Sequence, residues 1–477
     1  MGGRKGVYKW SAIDRVCNSV MTFAGNVVLA RILSPDDFGL LAMVAIFVAI
    51  AYNISGCGLS DGLIKKPHPT ERDYSTVFVF NLAFGLMFCA IFILSAQPIA
   101  DFFGHQELVE IMWAIGICFV FSAMTFTQET RMRKELDMKR MAIVRLSATA
   151  SSLILGIYLA LAGYGFWALV STRIFLSVFL FIFYVALSRW IPRLAFYKDS
   201  FKEMFGYGVH LMLSYVFTQI GRNINTSVIG QYSSAQSGIY SQAQKMQEVP
   251  YYITESVFNW PFFAVLSNEE DESKRKSLAQ NMLSNMVFIN VLLGCLLLLL
   301  SSPGFQLLYG AKWVEAIPIF RVLIIFGICS SLKFFFQTVM KTYGMTKAIR
   351  NLTFIEVVLQ LALLAIFFRE GIMAIALTQI VAAFVIMLWH CYYYKQIEEI
   401  SLTRLATLFF KPMIVSIIAL SITGIGYYFW NGTVSHFINC ILILVLYAIV
   451  SIAVLERTKP AIYMQYRAKV LTKLKRA

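Results

Sequence analysis

Long apolar runs, separated by short clusters of charge, glycine and proline, dominate the pattern along this chain. A helix needs about 20 apolar residues to cross a bilayer, and the runs predict fourteen such spans. They fall at 9–33, 38–58, 74–97, 108–128, 143–163, 166–188, 205–229, 234–266, 278–302, 315–337, 352–368, 372–394, 409–430 and 437–455. The run beginning at Ser234 is the least apolar. The expected fold class is an all-α polytopic membrane protein. Composition agrees, with 58% of the 477 residues hydrophobic and 14% charged, where soluble domains carry about 25% charged residues. Fourteen spans leave no room for a substantial extramembrane domain, which excludes a water-soluble enzyme.

Charge sets the expected orientation. The chain holds 41 Lys and Arg against 26 Asp and Glu, a net +15. In a soluble protein such a balance would suggest nucleic acid. Here the cations lie in short loops between apolar runs, and no nucleic-acid partner is expected. With a cytoplasmic N-terminus, the inside segments hold 32 Lys/Arg, the outside loops hold Lys312 and Arg369 alone, and seven lie within spans. One inside loop is assigned Arg131, Arg133, Lys134, Lys139, Arg140 and Arg145. This positive-inside asymmetry requires an even number of spans and places both termini in the cytoplasm. The tail 457–477 adds seven of those cations, with Ile462, Tyr466, Val470 and Leu474 at helical spacing. It is expected to lie on the anionic inner leaflet, so membrane lipids are partners. The N-terminus shows neither a myristoylation signal nor a small-residue cleavage site, so the first helix is expected to be retained. The eight cysteines are scattered without a C-x-x-C pair and read as small buried hydrophobes, and no metal site or cofactor is expected.

An internal repeat appears at an offset of 199 residues. Arg31-Ile-Leu-Ser-Pro-Asp-Asp-Phe-Gly39 joins spans one and two, and Gly230-Gln-Tyr-Ser-Ser-Ala-Gln-Ser-Gly238 joins spans seven and eight. At that offset Ser19 meets Thr218, Asn26 meets Asn225 and Gly39 meets Gly238. Six spans separate the copies, so the repeat is parallel, as in transporters whose halves are related by an axis along the membrane normal. The expected divisions are a six-helix bundle at 1–200, a second at 201–395, two additional transmembrane helices at 396–456 and the basic tail at 457–477.

Polar residues inside spans are costly and mark function by default. Arg15, Ser19, Thr22 and Asn26 share one face of the first span. Tyr215, Gln219, Arg222 and Thr226 repeat the stripe in the seventh, beside Asn223 and Asn225. Lys245, Glu248, Tyr252 and Glu255 follow in the eighth, where Pro250 interrupts the hydrogen-bond ladder. Cations outnumber acids within the spans, and a cavity with surplus positive charge attracts an anion, for which Arg forks match phosphate oxygens. Arg222, Arg173 and Lys245 are the candidate anion ligands, with Asn225, Gln219 and Tyr252 as polar contacts. Arg15 and Arg31 either steer the substrate or snorkel to the interface. Lys245 with Glu248 also reads as a structural i,i+3 pair. Lys333 and Arg321 have Glu356 and Glu315 as candidate partners. No hydrolase, zincin, Walker A or dinucleotide motif is present, so the chain is not expected to be an enzyme.

The order and spacing of several short segments resemble one family. Trp10-Ser11 with Arg15, Leu29-Ala-Arg-Ile-Leu-Ser-Pro-Asp-Asp-Phe-Gly-Leu-Leu-Ala42 and Gly56-Cys-Gly-Leu-Ser-Asp61 come first. Gly163-Tyr-Gly-Phe-Trp-Ala168, Arg222-Asn-Ile-Asn, Ile229-Gly230, Gly238-Ile-Tyr240, Pro250 and Tyr309-Gly-Ala-Lys-Trp313 follow. Together they resemble Wzx-type polysaccharide and O-antigen flippases of the multidrug/oligosaccharidyl-lipid/polysaccharide (MOP) exporter superfamily. The resemblance implies two six-helix bundles in a V plus two C-terminal helices. It implies a flippase of the bacterial cytoplasmic (inner) membrane that moves undecaprenyl-diphosphate-linked oligosaccharide for O-antigen, capsule or exopolysaccharide assembly, beside polymerase machinery. Similar proteins commonly carry an acid where this chain has Asn225, so ion coupling here is in doubt or falls to Glu248 or Glu255. A MATE-like drug/cation antiporter would have the same shape but favour an acid-rich cavity. A polytopic polymerase or ligase of lipid-linked sugars ranks below it, because the outside loops are short.

Overall fold

Helix propagates through almost every apolar run, because backbone groups in hydrocarbon must be satisfied within their own segment. The computed structural model describes residues 2–188, 190, 192–255, 260–430 and 434–458, and no strand occurs among them. Residues 459–477 of the expected basic tail lie outside the described residues. Eleven of the described helices are long and apolar enough to cross a membrane, so the expected fourteen is not reached by that measure. Packing divides the chain into two units, Met1–Ser241 and Gln242–Ala477.

The first unit contains α1 (Gly2–Ile32), α2 (Pro35–Lys65), α3 (Glu71–Phe103), α4 (Glu107–Lys134), α5 (Met138–Leu161), α6 (Phe166–Ser188), α7 (Lys198–Gly230) and the first turns of α8 (Ser234–Thr254). Local chemistry sets the boundaries. Ser34 and Asp37 form a capping box with Pro35 in the first turn of α2, Thr70 and Asp73 repeat it for α3, and Asp137 caps α5. The helix pairs α3 with α4, α2 with α7, and α5 with α6 pack along their lengths, and α1 lies on α5. Met43, Val44, Phe92, Ile111, Phe119 and Val170 form an apolar core among α2, α3, α4 and α6.

The sequence repeat reappears as a contact within this unit. A Cβ added at Gly39 would overlap the carbonyl oxygen of Ser234, and one added at Gly238 would overlap that of Pro35. At an offset of 199, Pro35 corresponds to Ser234 and Gly39 to Gly238. Each glycine therefore meets the residue that opens the other copy's helix, as a local two-fold axis requires. The Ser234 hydroxyl bonds Asp36, and the Ser227 hydroxyl donates to the Met43 carbonyl at 2.9 Å. Only glycine permits this approach of two backbones.

The second unit contains the rest of α8, then α9 (Trp260–Asn268), α10 (Glu272–Leu308), α11 (Ala316–Thr342), α12 (Thr346–Phe367), α13 (Ile372–Glu398), α14 (Leu402–Trp430) and α15 (His436–Thr458). Within the run expected at 234–266, two helical stretches are described. α8 continues through Pro250 to Thr254, Glu255 is π-helical, and α9 is described from Trp260. The core draws Leu283, Met286, Phe335, Phe336, Met387 and Ile443 from α10, α11, α13 and α15.

Candidate functional site

The helices that carry the polar stripes, α1, α7 and α8, are the least apolar of the long helices. None of the three is among the eleven that meet the length-and-hydropathy measure. In α1, Asp14, Asn18 and Gly25 form the face packed on α5. Thr149 donates to Asn18 at 2.8 Å, and Gly25 abuts Leu153. The stripe Arg15, Ser19, Thr22 and Asn26 occupies the flank beside it, with Arg15 and Thr22 exposed and Ser19 and Asn26 half-buried. Arg31 is exposed at the end of the helix. In α7, Arg222 is exposed, while Gln219 and Asn223 are half-buried and joined by an amide hydrogen bond at 3.3 Å. Asn225, 1% exposed, donates to the Tyr240 hydroxyl at 3.0 Å. Arg173 is exposed on α6, one turn before Ser177, whose hydroxyl donates to its carbonyl at 3.1 Å.

A cluster that the sequence did not reveal holds this flank of α1 in place. Arg145 lies in the third turn of α5, within the bilayer-spanning helix and not in a cytoplasmic loop as expected. Its guanidinium reaches Asp14 Oδ2 on α1 at 3.1 Å and also binds the Glu129 carboxylate on α4. Glu129 in turn holds Arg133 one turn further on. The buried ring of Tyr184 on α6 completes the group. Two carboxylates balance two guanidinium groups, so the cluster is a neutral brace that joins α1, α4 and α5. A small cleft opens beside it, lined by Glu129, Tyr52, Ser122, Thr125 and Ser177. The single signal in the sequence was Arg145 itself, inside a run long enough to span.

A second polar group joins the loop ends of the first unit. Lys66 binds Asp73 at 3.1 Å and Glu203 at 2.8 Å, tying the start of α7 to α2 and α3. The hydrogen bond it donates to Glu203, followed by that to Asp73, holds the Lys66 ammonium charged above its ordinary range against partial burial. Arg131 binds Glu71 at 2.8 Å and stacks over Tyr74 and Trp190 at 5.3 and 5.2 Å.

In the second unit, Lys245 is exposed on α8, and the half-buried Glu248 accepts a hydrogen bond from Gln244 at 2.9 Å. Glu255 is half-buried at the π-helical position, and the side chain of Tyr252 lies outside what is described. α8 rests on α11 at Gly327, against Gln247 and Tyr251. Lys333 on α11 pairs with Glu356 on α12 through two contacts, 2.6 and 2.9 Å, which resolves its expected partner. Arg321 donates from Nε to the Ser301 hydroxyl at 2.8 Å. No group of His, Cys, Asp and Glu suited to a metal ion occurs among the described residues.

The eleven long apolar helices among the described residues mark a multi-pass membrane protein, and two solved membrane proteins share its fold. The lipid II flippase MurJ, in an inward closed conformation, matches with a TM-score of 0.72, covering 94% of this chain and 99% of that one at 17% identity. An inward-facing multidrug resistance MATE family transporter of the MOP superfamily matches with a TM-score of 0.64, covering 80% of this chain and 96% of that one at 16% identity. The chain belongs to the polysaccharide biosynthesis protein family, whose profile matches residues 28–318. Teichuronic acid biosynthesis protein TuaB of Bacillus subtilis is 24% identical over 67% of this chain and 67% of its own length. Succinoglycan biosynthesis transport protein ExoT of Rhizobium meliloti is 25% identical over 66% of this chain and 64% of its own. Lipopolysaccharide biosynthesis protein WzxC of Escherichia coli is 24% identical over 68% of this chain and 66% of its own. The resemblance to Wzx-type polysaccharide proteins therefore holds. These relatives and structural neighbours are named as biosynthesis, transport or flippase proteins, and none is named as an enzyme.

Proposed function

We propose that this protein is a flippase that moves oligosaccharide units linked to undecaprenyl diphosphate from the inner to the outer leaflet of the bacterial cytoplasmic membrane. The observation that carries the reading is family membership across residues 28–318, joined to a flippase fold covering 94% of the chain. The products are O-antigen, capsule or exopolysaccharide, and the polymerase machinery is a partner on the outer side. Both termini are cytoplasmic, following the distribution of Lys and Arg.

In this reading the repeats at 1–200 and 201–395 work by alternating access, with the helices of 396–456 added to them. Arg222, Arg173 and Lys245 hold the diphosphate, because guanidinium and ammonium groups on membrane helices offer an anion what hydrocarbon does not. Arg15 and Arg31 steer it, Gln219 and Tyr252 meet sugar hydroxyls, and Asn225, expected among them but buried against Tyr240, supports α7 from within. The prenyl chain stays in lipid. Glu248 and Glu255 carry any ion coupling. The MATE likeness supports a second reading, drug/cation antiport, which is ranked lower because the named sequence relatives serve polysaccharide synthesis. Deleting the gene and assaying the sidedness of lipid-linked oligosaccharide separates the two. Accumulation in the inner leaflet supports the flippase. Unchanged lipid-linked sugar with altered drug sensitivity overturns it in favour of the antiporter.

A further inference from the structure

Glu398, the last residue of α13, is 3% exposed, and neither of its carboxylate oxygens has a hydrogen-bond partner. It is the one described side chain with two orphaned buried atoms. Tyr394, one turn earlier and wholly buried, also has an unpartnered hydroxyl. The surroundings are apolar. The Tyr394 ring packs on Phe335 and Phe336 at 5.9 and 5.3 Å, and Ala279, Leu283 and Leu405 belong to the same core.

The charged groups facing this point are engaged with others. On α10, Lys276 holds Glu399 at 2.9 Å and Glu272 at 3.2 Å. Arg275, also on α10, donates to the hydroxyl of Tyr343, just past α11, at 3.2 Å and stacks on that ring at 4.6 Å. Glu272 adds negative charge to the surroundings, and Gln280 is the neutral group on the α10 side. A carboxylate shielded from water, with the Gln280 amide as its one nearby neutral donor, is disfavoured, and a group so placed takes up a proton. Glu399 follows at a left-handed φ of 54°, which ends α13.

We propose that Glu398 is a proton-binding site that docks the end of α13 onto α10 when neutral and releases it when ionised. The proton comes from water on the side of the α13–α14 connection, which is the cytoplasm in the orientation proposed above. The docked form binds one proton more than the released form, so docking weakens as pH rises. The ionised carboxylate turns toward water and competes with Glu399 for Lys276. The switch region is therefore 398–405, and it requires no contact with transported substrate.

The test uses the purified full chain in lipid nanodiscs, wild type against Glu398→Gln, which keeps the shape of the neutral acid. Infrared difference spectra are expected to show the C=O stretch of a protonated carboxyl near neutral pH in wild type and not in E398Q. An ordinary Glu, with a pKa of about 4.3, would show none there. Hydrogen exchange of 394–405, corrected for the intrinsic rate, is expected to rise between about pH 6 and about pH 8 in wild type and stay low in E398Q. Absence of the carboxyl band, or pH-independent exchange in wild type, overturns the proposal. Protection that follows sodium concentration at fixed pH also overturns it and assigns the site to a metal cation. Neither readout depends on transport, so failure here leaves the flippase reading intact, and the reverse is equally true.

Discussion

The crossing of α2 and α8 at Gly39 and Gly238 gives a quantitative prediction. An alanine methyl at either position lands on a backbone carbonyl, Ser234 in one case and Pro35 in the other. Backbone cannot turn aside as a side chain can. The helices must part by roughly 1 Å, and overpacking of this kind costs about 1–3 kcal/mol. Each single variant, Gly39→Ala or Gly238→Ala, is expected near the upper end of that range. The double variant is expected to cost much less than the sum. Once one methyl has separated the helices, the second finds the space already made, giving a coupling of about 1–2 kcal/mol. Reversible unfolding in mixed micelles, run as a double-mutant cycle, measures this. Single costs below about 0.5 kcal/mol, or a double cost equal to the sum, would refute the shared crossing.

Other consequences follow from the charged groups. Arg145→Met leaves Asp14 uncompensated while Glu129 keeps Arg133, and is expected to cost about 3 kcal/mol, with partial recovery on adding Asp14→Asn, read by the same unfolding assay. Lys333→Met should destabilise by a similar mechanism, and exchanging the charges as Lys333→Glu with Glu356→Lys should restore part of the loss. Lys66 has a raised pKa in the folded state, so its contribution is present in full below its ordinary value of 10.5 and disappears as pH rises through the raised one. The melting temperature of wild type should therefore fall toward that of Lys66→Met on strong alkalinisation, and a constant gap between the two would contradict this.

Much of the helical architecture was legible in hydropathy alone, because a bilayer demands continuous apolar helix wherever the chain crosses it. The sites of polar residues were legible in part. The stripe on α1 is a local, helical-period pattern, and its flank is the one left uncovered by α5. The brace around Arg145 was not legible, since its members come from α1, α4 and α5 and its centre looked like one more loop cation. Lys333 shows the same limit. Its charge was evident, but Glu356 on α12 became its partner only through packing. The repeat at an offset of 199 was visible as similarity, while the mutual approach of Gly39 and Gly238 depends on how distant segments fold together. The π-helical position of Glu255 was not legible either, because averaged hydropathy carries no hydrogen-bond register.

The most direct measurement of the central claim is leaflet exchange by the purified protein. Proteoliposomes carrying a fluorescent oligosaccharide on undecaprenyl diphosphate would be treated with a membrane-impermeant quencher. Wild type is expected to expose inner-leaflet probe to quencher, Arg222→Ala to do so much more slowly at equal stability, and probe lacking the diphosphate to stay protected. Exchange no faster than in protein-free liposomes, or wild-type exchange by Arg222→Ala, would contradict the account. The first result would remove the flippase, and the second would remove its anion site.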